Sequence, residues 1–373
     1  MVIVLNTIIA TRFNKDENAA FIAESFSRII AAQPQHTFIV ISEERHHLFS
    51  ASKNVKREIV SPKKRNLLQW YWWFNFKIPA LLKKHEADVF FSCGSVSFSR
   101  TKALQYLFVT DLLFLDHPVS VPKSDRSFYK KFLLKSVRKA DKVLAVSEFC
   151  RNAIVKYAAI NNHKIAVIYP GVEDNIPAVN DEEREVIKMK YANGHEYFFS
   201  TGVIDNSPDL LNLLKAFSAF KKRQKSNMQL IIAGKQGTGY ERFSNQLRSY
   251  KFREDVKIVP GLYKEENEKI IAAAYAFVCV DTFTCFPNAC LFAMKSAVPV
   301  ITCDTAVMRE VCNDAALYAD PESFEEIALK MMLLFKDEDL RKKMIQKGTQ
   351  NSKKFSWNNT AKDTWAPIAQ HAK

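Results

Sequence analysis

The stretch YAFVCVDTFTCFPNACLFAMKSAVPVITCDTAVMREVCNDAALYADP, residues 275–321, decides the reading of this chain. It holds two short apolar runs of strand length, Ala276–Val280 and Val298–Cys303. Between them, Cys285-Phe286-Pro287 breaks the pattern, because proline fixes φ and brings no N–H donor. Five of the seven cysteines fall between Cys279 and Cys312, with no Cys-x-x-Cys pair and no common zinc spacing. They read as reduced thiols used as small core residues.

Working outward, the same alternation continues. Tyr197–Gly202, Gln229–Gly234 and Asp255–Pro260 read as strands, and Leu210–Arg223 as an amphipathic helix carrying Leu210, Leu211, Leu214, Phe217 and Phe220 on one face. Phe324–Phe335 and Asp337–Gly348 read as helices, with Gly348 as a C-terminal stop, and Phe355–Gln370 as a helical tail. Upstream, the pattern breaks over 168–195 at Pro170-Gly171, Pro177 and the charged run Asp181–Glu185, which marks a linker. Before it, Val2–Asn6, His36–Ser42, Asp88–Ser92, Leu104–Thr110 and Lys142–Ser147 read as strands, and Asn18–Ala32 has helical spacing. Strands alternating with helices predict parallel sheets covered on both faces. The expected fold is α/β, with two doubly wound, Rossmann-like sheets in tandem and a crevice at the carboxyl ends of their strands. The expected domains are 1–172, 173–352 and a C-terminal helix, 353–373, that can return to the first.

The 373 residues are 47% hydrophobic and 25% charged, an ordinary globular balance for two domains. No apolar run approaches the roughly 18 residues of a membrane span. Met1–Thr7 reads as a buried strand and not as a secretory leader, so the expected location is cytoplasmic, with the inner face of the membrane as a further option. The net charge of +14 admits nucleic acid, an anionic membrane face or polyanionic small substrates as partners. It is scattered in Lys-Lys and Lys-Arg pairs without a basic tail or an RNA-binding aromatic signature, which disfavours nucleic acid. Residues 63–84, KKRNLLQWYWWFNFKIPALLKK, combine basic ends with a dense aromatic block. Leu67, Trp70, Tyr71, Phe74 and Ile78 share one helical face and Trp72 and Trp73 point elsewhere. Packing under the first sheet is the common use of such a block; contact with a membrane surface or lipid-linked acceptor is the functional one. No His-x-x-x-His or His-Glu-x-x-His spacing occurs among the eight histidines, so no metal site is expected, and His46-His47 reads as a solvated loop pair.

Several ordered segments resemble family-4 glycosyltransferases of the GT-B architecture. They are Ala140-Asp141-Lys142 through Arg151, Lys164-Ile165 through Val172, Leu210–Arg223, Gln229–Lys235, Ala293-Met294 with Val298–Ile301, Asp314–Pro321, and Phe355-Ser356-Trp357. The resemblance implies two lobes, a UDP- or GDP-hexose donor, a glycan or lipid-linked acceptor, a retaining reaction and no metal or other cofactor. It also places the working positions. The family's His-Asp falls on Thr110-Asp111, and threonine takes up no proton near neutral pH. The family's Arg-Lys after Gly202, which holds the donor diphosphate, falls on Ser207-Pro208. Lys235, after Gly234, remains as a phosphate contact. The two glutamates of the strip fall on Thr284 and Phe292, and its Gly-Phe-Gly on Cys285-Phe286-Pro287, followed by Asn288. The glycine-rich loop of the first lobe has no counterpart, since Asn6–Asn18 contains no glycine.

The catalytic positions are therefore Thr110, Asp111 and Thr284, and the donor-binding positions Gly202, Ser207, Gly234, Lys235, Phe286, Asn288 and Phe292. Two functional readings are open. One is a transferase whose donor site has been rebuilt. The other is a catalytically inactive relative that binds or scaffolds an active glycosyltransferase.

Overall fold

A computed structural model describes residues 1–8, 15–42, 49, 52–60, 67–93, 101–110, 112, 115, 123–173 and 179–371. Asp111 and His46-His47 lie outside the described residues. The chain divides into two units, Met1–Gly171 with Ser356–Lys373, and Val172–Phe355.

In the first unit, short apolar runs form seven parallel strands: β1 (Val2–Asn6), β2 (Thr37–Ser42), β3 (Val55–Ile59), β4 (Val89–Cys93), β5 (Leu104–Val109), β6 (Lys142–Ala145) and β7 (Ile165–Val167). Their order in the sheet is β3-β2-β1-β4-β5-β6-β7. The central strands are buried along nearly their whole length, as a sheet covered by helices on both faces requires. β3 escapes the sequence reading because it is an edge strand, VKREI, whose charged side chains blunt an unpaired edge.

The second unit repeats the plan with β8 (Tyr197–Ile204), β9 (Gln229–Gln236), β10 (Val256–Pro260), β11 (Ala276–Cys279), β12 (Val300–Cys303) and β13 (Ala316–Ala319), in the order β10-β9-β8-β11-β12-β13. All their pairings are parallel. In both sheets the winding reverses beside the first strand, between β1 and β4 and between β8 and β11. The carboxyl ends of strands at such a reversal splay their connections apart, and ligands of doubly wound sheets bind there.

The helix Pro208–Gln224 buries Leu210, Leu213, Leu214, Phe217 and Phe220 against the second sheet. Phe220 meets Phe198 of β8 edge-to-face at 5.1 Å between ring centroids. Leu213, absent from the expected stripe, is fully buried, while Leu211 is only partly covered. The charged run Asp181–Glu185 is not linker but the first turn of the helix Asp181–Ala192. Its Asn180 and Glu183 form a reciprocal capping box, and three acidic residues face the positive end of the helix dipole.

Gly348 does not end a helix; it lies inside Glu338–Ser352 and is buried. A Cβ there would stand 3.1 Å from Met294 Cγ, so the residue serves close helix packing. The tail helix Trp357–Ala369 belongs to the first unit. Arg28 Nε donates to Asn358 Oδ1 (3.0 Å) and the Tyr106 hydroxyl to the Pro367 carbonyl (2.7 Å).

The aromatic block also differs from its expected register. A five-residue π-helical segment, Trp73–Lys77, interrupts the helix that starts at Leu67. The wider turn brings Trp73 onto the face of Phe74 and Ile78. Trp73 (2% exposed), Phe74 and Ile78 go into the core with Leu81 and Leu82, and Tyr71 turns outward. Among the described residues no helix is long and apolar enough to cross a membrane.

Candidate functional site

Glycine is scarce, with nine residues in the chain, and five of them (Gly202, Gly234, Gly237, Gly239 and Gly261) lie at the carboxyl edge of β8, β9 and β10. The chain spends its least-hindered residue where backbones crowd. Gly202 pairs with Gly234 across β8 and β9. Gly234 adopts φ +146°, and a Cβ on it would fall 1.7 Å from the Gly202 carbonyl oxygen. Only glycine fits, so backbone stands where side chains would otherwise project. Lys235 comes next, exposed, opposite Val203.

Ser207 begins the helix Pro208–Gln224, and its Oγ accepts from the Leu210 N–H at 3.4 Å. The side chain of Ser207 is thus a helix cap. Two residues on, Asp209 Oδ2 accepts from the Thr282 hydroxyl (2.7 Å) and the Thr282 N–H (3.4 Å). That bond ties the first turn of the helix to the loop after β11 and brings the halves of the candidate site together. Asp205, after β8, accepts from the Ser207 N–H at 3.0 Å. Asp281, after β11, accepts from the Phe283 N–H at 2.8 Å. Although Asp281 keeps an exposed face, the protein crowded around its carboxyl raises its pKa, and the carboxylates of Asp209 and Asp205 add to the rise. Three carboxylates therefore converge beside the first turn of the helix Pro208–Gln224.

Thr284 is spent locally as well. Its hydroxyl donates to the Phe286 carbonyl (2.9 Å) and accepts from the Phe286 N–H (3.2 Å), holding the turn through Cys285. Phe286 is buried and meets Phe355 edge-on at 6.0 Å. Asn288 opens the helix Asn288–Lys295, half-buried, after Pro287, which supplies no side-chain cap. Phe292, on the same helix, is 7% exposed and forms part of the core. Thr110 lies in the first unit at the end of β5, where its Oγ donates to Asn18 Oδ1 at 3.3 Å. The Asn18 Nδ2 finds no partner among the described residues although the residue is buried. Among the described residues, no three His, Cys, Asp or Glu side chains are grouped to hold a metal ion.

The sequence reading missed Asp205, Asp209 and Asp281. Their signal was position alone: each comes after a strand of the switch point or opens its helix, where side chains face any ligand of such a sheet.

Residues 181–351 match the family described as glycosyl transferases group 1, and residues 28–175 match glycosyltransferase family 4. The chain belongs to the family-4-type GT-B glycosyltransferases. This family member is 25% identical to O-antigen chain mannosyltransferase B of Escherichia coli over 256 residues, 68% of this chain and 67% of the relative. Other curated relatives are matched over as little as 28% of their own length. Among solved structures, the glycosyltransferase of Rickettsia africae superposes with a TM-score of 0.74 at 18% identity, over 100% of this chain and 98% of that one. Alr3699/HepE of Anabaena, in complex with UDP-glucose, superposes at 0.72 and 12% identity, over 99% and 100% of the two chains. These structural likenesses show the shared fold.

Proposed function

We propose that this chain transfers a hexose from a nucleotide-sugar donor to a growing cell-surface polysaccharide or lipid-linked glycan, at the cytoplasmic face of the membrane. The observation that carries the proposal is the glycine-lined carboxyl edge of β8, β9 and β10, which lets an extended polar ligand lie against main chain. Two likenesses support the chemistry. One relative is an O-antigen mannosyltransferase, and one structural neighbour holds UDP-glucose.

In this reading the backbone at Gly202 and Gly234 approaches the donor, and Lys235 with the N-terminal turn of Pro208–Gln224 faces its phosphates. Thr284 and Asn288 lie beside the sugar, and Phe286 and Phe292 form an apolar wall. Thr110 and Asp111 serve the acceptor side. As in the family, the reaction retains configuration and uses no metal. The departing diphosphate gains charge in the transition state, so the change from cations to Ser207 and Pro208 slows the reaction. One such electrostatic contact is worth about 10²–10³ in rate.

A second reading, a non-catalytic partner of an active transferase, draws on one specific observation. Asp205, Asp209 and Asp281 oppose a diphosphate, while Ser207 and Thr284 are both engaged in local bonds. Calorimetric titration with UDP, GDP and their hexose conjugates separates the two. Micromolar binding of one conjugate supports the transferase. Absence of binding to the folded chain, persisting in D209N/D281N, overturns it in favour of the partner role.

A further inference from the structure

The first unit carries a second surface that the candidate site does not use. Tyr71, Trp72 and Phe76 are 45%, 56% and 58% exposed. Large rings seldom face water together, since each leaves apolar area that burial would stabilise. They stand side by side: the Trp72 and Phe76 centroids are 6.3 Å apart, one helical turn along the segment. The π-helical shift at Trp73–Lys77 produces the arrangement by sending Trp73 and Phe74 into the core.

Tyr71 meets Phe132 of the helix Lys123–Lys139 at 6.2 Å, which joins the rings to a second, strongly basic element. That helix has seven basic residues and one acidic, and Lys130, Lys131, Lys135, Arg138 and Lys139 are exposed. On the aromatic side, residues 67–84 include Lys77, Lys83 and Lys84 and no acidic residue. Lys83 and Lys84 are exposed and Lys77 is half-buried, with Lys84 paired to Glu58 at 2.6 Å.

We propose that this aromatic and basic face docks the chain on an anionic lipid bilayer, the rings of Trp72 and Phe76 entering the headgroup boundary and the lysines of both helices facing lipid phosphates. Tryptophan and tyrosine favour that boundary because an apolar ring and a polar edge are both satisfied there. A charge field of one sign around protruding rings fits a fluid anionic surface, which needs no matching pocket. The face shares no residue with the candidate site, so the inference stands whether or not the chain is a transferase.

The test uses the full chain and extruded vesicles of phosphatidylcholine, alone or with one-third phosphatidylglycerol, in co-sedimentation at low and high salt. The wild type is expected to bind the anionic vesicles and to leave the neutral ones. W72A/F76A is expected to lose at least about tenfold in affinity. K130E/K131E is expected to lose about fivefold for each lysine, with the residual binding less sensitive to salt. All four residues are exposed, so the variants should melt like the wild type; a thermal scan confirms that each is folded. Wild-type tryptophan emission should shift to the blue on anionic vesicles, and W72F should lose most of that shift. A folded wild type that ignores anionic vesicles at low salt overturns the proposal. So does W72A/F76A binding as tightly as wild type with complete release by heparin, which would make the attraction a general one for polyanions.

Discussion

Replacing Gly234 with alanine probes the strand-end geometry on which the donor reading rests. The added methyl would lie 1.7 Å from the Gly202 carbonyl oxygen, whereas real Cβ contacts stay beyond 3.0 Å. The obstacle is backbone, so no rotamer change relieves it, and β8 and β9 must part by at least about 1.3 Å. Bonds anchored beside it would lengthen, including Gly261 N–H to the Gly234 carbonyl and Gly237 N–H to the Ile204 carbonyl, both 2.9 Å. Backbone strain at φ +146° costs ~1–3 kcal/mol. Each weakened hydrogen bond adds ~1 kcal/mol, for a total of about 3–5 kcal/mol. Gly202→Ala is the control, because nothing lies within 4 Å of its Cβ position and only the strain of φ +157° applies. Urea unfolding followed by far-UV circular dichroism measures both. All five tryptophans (Trp70, Trp72, Trp73, Trp357 and Trp365) lie in the first unit, so their fluorescence reports that unit alone and should move less. G234A within about 1 kcal/mol of the wild type, or no worse than G202A, would refute the reasoning.

Other expectations rest on the same geometry. Trp73→Ala should cost about 3–5 kcal/mol in a urea melt followed by circular dichroism, whereas exposed Trp72→Ala should cost less than about 0.5, a contrast set by burial. Thr284→Val removes both bonds to Phe286 and should destabilise the second unit by about 1–3 kcal/mol, read from the denaturation midpoint. Protein crowded around the carboxyl and the neighbouring carboxylates raise the Asp281 pKa, so the fold disfavours its ionised form; the stability it contributes is present when the carboxyl is protonated and is lost as pH rises through the raised pKa. Asp281→Asn should therefore raise Tm at neutral pH, and thermal scans at falling pH should show the advantage shrinking as the wild-type carboxyl protonates. D209N/D281N should tighten nucleotide binding in calorimetry; unchanged weak binding would show that charge is not what limits it.

The linear order of residues determined most of the architecture. Apolar runs of four to eight residues alternating with amphipathic segments admit few arrangements besides doubly wound parallel sheets, and the strip 275–321 placed the family's frame without a gap. The resemblance also set an expectation for each working position, Thr110, Ser207, Thr284 and Phe292 among them. What it lacked was the use each replacement is put to. Ser207 and Thr284 read as hydrogen-bonding groups open to a ligand, and folding closes both onto neighbouring main chain. Asp205, Asp209 and Asp281 are up to 76 positions apart in the chain, and only the pairing of β8 with β11 brings their charges together. Trp73 joins Phe74 and Ile78 in the core, and Tyr71 faces outward, around a π-helical turn that a 3.6-residue period does not anticipate. Periodicity and motif are local and survive in sequence; charge convergence, capping and register are made by contact, and the tertiary structure alone decides them.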